Sequence, residues 1–374
     1  MEYIMLKDVC DINMGQSPDS SSYNDDGNGL PFFQGNADFG ERYPVTRKWC
    51  SVPTKIAKPE DILISVRAPI GALNYAREKC CIGRGLAALT PDKSKVSPEF
   101  IFWLLKAKNI ELNNKGTGST FKAIGRNVLE ETQVPNVPLT VQLEYSQVLE
   151  RIYAIIQSRK MQLQKLDNLV KARFVELFGE PRSNPFEYPK TMLKNSCKVV
   201  TGNTPSRTVA EYYGDYVEWI KTDNIVPGVL NPTKATEYLS EKGMVAGRTV
   251  DKGSVLMACI AGSVASIGRV CITDRKVAFN QQINAIIPEK YNTLFLYILL
   301  QMSKDYLIED INMSLKGILS KSKLEGKEFI IPPVELQNQF AAFVTQADKS
   351  KAVIQKALDE AQLLFDSLMQ QYFS

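Results

Sequence analysis

The sequence states one plan twice. Leu6–Pro18 reads LKDVCDINMGQSP, and Leu193–Pro205 reads LKNSCKVVTGNTP. A duplication constrains folding more than any single motif, because whatever the first copy builds the second must build again. Further matches follow in the same order. DILISVRAPIG (Asp61–Gly71) pairs with SVLMACIAGSVASIG (Ser254–Gly268), with residues inserted in the second copy. GLAALTP (Gly85–Pro91) pairs with QINAIIP (Gln282–Pro288), FIFWLLK (Phe100–Lys106) with LFLYILL (Leu294–Leu300), and PLTVQ (Pro138–Gln142) with PVELQ (Pro333–Gln337).

Each copy holds a globular part and a helical part. Residues 1–138 and 181–333 are expected to be α+β modules. Asp61–Val66 and Val217–Ile220 are apolar β-rich runs bounded by Gly, Pro or charge. Ser97-Pro98-Glu99 has the order of an N-cap, a first-turn proline and an early acid, and predicts a helix through FIFWLLK. Residues 139–180 and 334–374 are expected to be long helices. Gln142–Phe178 contains no proline or glycine, and Gly179 and Pro181 follow as a stop signal.

Within that segment every seventh residue is apolar: Leu149, Ile156, Leu163, Val170 and Leu177. The intervening seam positions are Ile152, Arg159, Leu166 and Arg173. The same phase in the second copy gives Val344, Lys351, Leu358, Phe365 and Tyr372, with Ala347, Ile354, Ala361 and Leu368 between them. The seam therefore survives the duplication. The expected fold is α+β, with two globular modules separated by two long antiparallel helices that form a coiled coil in a pseudo-twofold arrangement. A rod of this kind is about 54 Å long, or about 16 base pairs of duplex. Twin modules on such a ruler suit a bipartite double-stranded DNA site whose halves differ.

Composition removes several chemistries. The chain has no histidine, which excludes histidine-based triads, histidine general bases and histidine-ligated zinc. Its seven cysteines show no C-x-x-C spacing and read as buried thiols of a reducing cytoplasm. There is no P-loop, no nucleophile elbow at SVRAP (Ser65–Pro69), and no run long and apolar enough for a membrane span. Asn184-Pro185-Phe186 reads as a turn in a linker. No secretion signal is read at the N-terminus, so the cytoplasm is the expected location and no membrane partner is expected. A net charge of +4 is compatible with nucleic acid without requiring it.

Small polar and basic loops precede both long helices. The first supplies Thr117, Ser119, Thr120 and Lys122 as candidate DNA contacts, and the second supplies Lys316 and Lys321. Further candidates are Gln34, Asn36, Arg67 and Arg84 in the first module. In the second they are Lys221, Thr222, Asn224, Gln281, Gln282 and Asn284. Arginine suits guanine, and Asn or Gln suits adenine. The RAPIG arginine has no counterpart in the second copy, where Ile260 or Gly262 falls near its place.

LISVRAPIGALNYAREKCCIGRGLAAL (Leu63–Leu89), GTGSTFKAIGRNVLEETQVPNVPL (Gly116–Leu139) and TGNTPS with YVEWIKTDNI in Thr201–Ile225 resemble the specificity subunit of Type I restriction–modification enzymes. The resemblance implies two target recognition domains spaced by helices that dock two methyltransferase subunits, with restriction or translocase subunits as further partners. It implies that S-adenosylmethionine, ATP and magnesium act on those partners, and that this chain holds no cofactor and is not itself an enzyme. A coiled-coil protein adaptor without DNA specificity is the alternative reading.

Overall fold

The computed structural model describes residues 2–118, 122–309, 311 and 317–373. They form two compact units. One comprises Met1–Lys160 with Lys356–Ser374, and the other comprises Met161–Gln355.

In the first unit Cys10–Met14, Leu86–Pro91, Ile62–Ser65 and Leu73–Tyr75 form a four-stranded antiparallel sheet in that order. In the second, Cys197–Thr201, Ile283–Pro288, Val255–Ala258 and Val270–Ile272 do the same. Each unit adds a five-stranded sheet. The orders are Tyr23–Asn24, Trp49–Cys50, Leu30–Phe33, Cys80–Ile82, Ile56–Ala57, and Tyr213–Gly214, Tyr238–Leu239, Val217–Ile220, Val277–Phe279, Thr249–Val250. Both contain one parallel pair, at Phe32↔Cys81 and at Trp219↔Ala278. The duplication read from five short matches thus extends to every strand of both sheets.

The four-stranded sheets are apolar on both faces because both faces are covered. In Val255–Ala258, Val255 and Met257 face a core with Phe295 and Leu299 of the helix Thr293–Met302. Leu256 and Ala258 alternate to the other side and pack with Ile220, Val277 and Phe279 of the five-stranded sheet. This is the period-two geometry of a doubly covered strand. The helix Pro98–Ala107 in the first unit begins as expected, with Ser97 Oγ accepting from the Phe100 N–H at 3.4 Å.

The long helices run Leu139–Phe178 and Val334–Phe373, 40 residues each. They pair antiparallel within each unit. In the first, Tyr145 stacks on Tyr372 at 3.8 Å and Tyr153 meets Phe365. In the second, Phe174 meets Phe340 and Lys351 bonds Asp167 at 2.6 Å. All eighteen seam residues named from the heptads are buried or half-buried. Lys351, the charged break in the apolar row, is thereby answered by an acid of the facing helix.

The helices are not segments apart from the modules, as the expected boundaries had them. The compact units divide each helix between them. A second stripe beside the seam packs inward: Phe174 and Phe178 pack against Phe295, and Tyr153, together with Phe365 of the seam, packs against Trp103. Buried glutamines fix both helix starts. Gln142 accepts from the Ser97 N–H at 2.9 Å and donates to the Val137 carbonyl at 2.9 Å. Gln337 accepts from the Asn292 N–H at 2.9 Å and donates to the Pro332 carbonyl at 2.8 Å.

Candidate nucleic-acid interface

At one end of the first unit's sheets, three chain segments converge. Ser17 lies just beyond Cys10–Met14, Gln34 just beyond Leu30–Phe33, and Arg84 just before Leu86–Pro91. Ser17 Oγ accepts from Gln34 Nε2 at 3.2 Å and from the Arg84 backbone N–H at 3.4 Å. The Gly85 N–H donates to the Gln34 carbonyl at 3.2 Å, and the Val66 N–H donates to the Gly85 carbonyl at 2.9 Å. That second bond brings Arg67 beside the group. Arg67 in turn bridges Ala123, the Ala68 N–H donates to the Lys122 carbonyl at 3.0 Å, and Thr117 also bridges Ala123. Gln34, Arg67, Arg84, Thr117 and Lys122 are all exposed, and Asn36 is half-buried in the turn after Gln34. Among the described residues Arg67, Arg84 and Lys122 make no ion pair, so three cationic side chains remain open to anionic ligands.

The second unit repeats the arrangement with different side chains. Thr204, Lys221 and Gln281 hold the same three places, and Thr204 Oγ1 donates to Gln281 Oε1. The Ile260↔Ile318 pairing stands where Arg67 bridges Ala123, so Ile260 is the residue that replaces the RAPIG arginine. Gly15 and Gly202 hold the two places open alike. A Cβ at Gly15 would lie 2.2 Å from the Gly83 carbonyl oxygen, and one at Gly202 would lie 2.1 Å from that of Asn280. Backbone contacts that short exclude any side chain.

Several expected contacts are engaged elsewhere. Asn284 is 2% exposed, accepts from Thr201 Oγ1 at 2.7 Å and donates to Cys259 Sγ at 3.2 Å, so it is a core residue and not a base reader. Its strand is covered on both faces, which the QQIN string does not disclose. Asn224 closes its own loop, accepting from the Lys221 N–H at 2.9 Å and donating to Thr233 Oγ1 and the Lys234 carbonyl. Lys221 is paired with Glu237, which also binds Arg207. The amide of Gln282 accepts from Asn280 Nδ2 at 3.2 Å, and Thr222 is half-buried. Lys321 is exposed and faces Glu325 at 3.5 Å. Ser119, Thr120 and Lys316 lie outside the described residues. Ser17 and Thr204 were missed as site residues, although the paired QSP and NTP strings contain them.

The family described as Type I restriction modification DNA specificity domain matches residues 1–168 and again 187–362. The chain belongs to that family. A Methanocaldococcus jannaschii protein, whose name provisionally assigns it as the MjaX specificity subunit of a type I restriction enzyme, is 42% identical over 160 residues. That match covers 43% of this chain and 38% of the relative, so the chain spans well under half of that protein's length. The MjaIX specificity subunit of the same organism is 24% identical across 91% of this chain and 84% of its own. Among solved structures, a Type I restriction–modification S subunit from M. genitalium has the same fold. Its TM-score is 0.62 at 14% identity, over 100% of this chain and 96% of that one. A chain from a structural study of assembly and conformational transition in the type I R-M system aligns with TM-score 0.59 at 16% identity.

This specificity-domain chain carries its unusual side chains as structure. Its seven cysteines are buried and unpaired, and burial pushes the thiols of Cys10, Cys80, Cys197, Cys259 and Cys271 up to about 12. Ser65 donates to the Pro69 carbonyl at 2.7 Å and accepts from the Ala72 N–H at 2.9 Å. Asn184 closes a turn, exchanging side-chain bonds with the Tyr188 backbone. Among the described residues no helix is long and apolar enough to cross a membrane, and no cluster of His, Cys, Asp or Glu offers a metal site.

Proposed function

We propose that this chain is the sequence-recognition subunit of a Type I restriction–modification complex and binds a bipartite, asymmetric double-stranded DNA site. The observation that carries this reading is the pairing of like frames with unlike rims. The two units share the orders of their four- and five-stranded sheets, yet present Ser17, Gln34 and Arg84 in one and Thr204, Lys221 and Gln281 in the other. One frame decorated in two ways suits two different half-sites. Exposed Arg67 and Lys122 supply phosphate contacts that position the duplex, and side chains at the strand ends read base edges. Each 40-residue helix is about 60 Å long, the length of about 18 base pairs, and sets the unread gap.

Methylation of adenine and cleavage fall to partner subunits: two methyltransferase subunits using S-adenosylmethionine, and restriction subunits using ATP and magnesium. The role of this chain is to place them. It acts in the cytoplasm, where its buried thiols stay reduced. The test is sequencing of methylated adenines in a host expressing the methyltransferase subunits with and without this chain. The expected result is a two-part motif with unlike halves and a fixed gap, present only with the chain. A methylation pattern independent of the chain would leave a protein adaptor as the surviving explanation.

A further inference from the structure

We infer that Arg84 and Gln281 are the paired specificity-determining positions of the two units, with Arg84 selecting guanine and Gln281 selecting adenine at corresponding steps of the two half-sites. The inference rests on the DNA-recognition reading above and adds which side chains discriminate and for which base. Both residues leave the frame at the same place, two positions before the strand that lies second in the four-stranded sheet. Both are exposed. Both touch a hydroxyl residue three positions beyond the first strand: Ser17 Oγ takes the Arg84 backbone N–H at 3.4 Å, and Thr204 Oγ1 donates to Gln281 Oε1. Gly15 and Gly202 hold that hydroxyl segment against the segment before the reader in each unit, at contacts no Cβ could enter.

The chemistry at these twin places differs in the way needed to tell two purines apart. A guanidinium presents a fork of donors that matches the two acceptors of guanine, O6 and N7. A glutamine amide offers one donor and one acceptor, matching N7 and N6 of adenine. Arg84 makes no ion pair among the described residues, so its fork is free. In Gln281 one lone pair of Oε1 is taken by Thr204, which fixes the plane of the amide and leaves the second lone pair and both N–H groups for a base edge. Other candidate readers lack this symmetry: Lys221 is neutralised by Glu237, and Ile260 replaces Arg67. Ser17 and Thr204 are positioning residues, acting through the reader beside them.

The experiment uses the full chain coexpressed with its methyltransferase subunits and reads methylated adenines genome-wide. Arg84→Gln is expected to change one base pair of one half-site from guanine to adenine. Methylation of the original sites should fall roughly ten- to hundredfold, while the other half and the gap stay unchanged. Gln281→Arg should do the reverse in the other half. Arg84→Lys keeps the charge but loses the fork, so that base position should become degenerate. Ser17→Ala should blur the same position without changing the melting temperature, and Ser17→Thr, the residue of the second unit, should restore it. An unchanged motif in both Arg84 variants, or a uniform loss of methylation with the motif intact, would overturn the assignment. If the unsubstituted chain directs no two-part methylation, the DNA-recognition reading itself fails, and the two failures are distinct.

Discussion

Lys106 holds its charge against its surroundings. Its ammonium lies 5.2 Å from the Trp103 ring centre and 4.2 Å from that of Tyr153. Burial, then Arg42 and Lys160, push its pKa down to about 8. The unfolded chain binds that proton more tightly, so the charged form opposes folding fully below about pH 8, and the penalty fades as pH rises toward the ordinary lysine value near 10.4. Lys106→Met is therefore expected to melt higher than the parent at pH 7, with the gap closing by about pH 10. A gap constant across that range would show that charge is not its cause. At this scale the sequence was a partial guide. Arg67, Arg84 and Lys122 came to one rim because backbone bonds join their segments, Val66 to Gly85 and Ala68 to Lys122. Asn284 did not, because an amide in a string of amides gives no sign of which face its strand turns inward. Nor did single residues show that Glu237 would neutralise Lys221.

Among the elements, the long helices were the most legible. Forty residues in constant heptad phase specify a seam, and Gly179 with Pro181 specifies a stop. Less legible was the stripe that binds each helix to its module, because Phe174, Phe178 and Phe340 have partners far away in sequence. The buried glutamines belong to that second role. Gln142 joins the start of its helix to the N-cap of Pro98–Ala107, with both its amide oxygen and its amide nitrogen bonded to backbone there. Gln142→Leu strands the Ser97 N–H and the Val137 carbonyl without partners and is expected to cost about 1–3 kcal/mol. A urea titration should show a lower midpoint with an unchanged slope, and an unchanged midpoint would mean that water replaces the amide.

For the molecule as a whole, the internal duplication made the fold class readable before any coordinate, since five matches in order imply one topology used twice. What the matches could not show is how the helices are apportioned. If the helices set the unread gap, removing Gln157–Leu163 together with Ala352–Leu358 shortens each by about 10 Å. The two-part motif should then keep both halves and lose about three base pairs between them, as methylated-adenine sequencing would show. An unaltered gap would mean that something other than helix length fixes it. The apportioning of the helices has another effect. Residues 356–373 belong to the first compact unit, where Phe365 meets Trp103 and Phe373 meets Phe100. During synthesis, the first unit must wait for the ring that Phe365 lays against Trp103, on a segment translated after the whole of the second unit. A premature stop after Gln355 would therefore injure the unit that holds Trp103 and Phe100, although the stop lies far from both in the sequence.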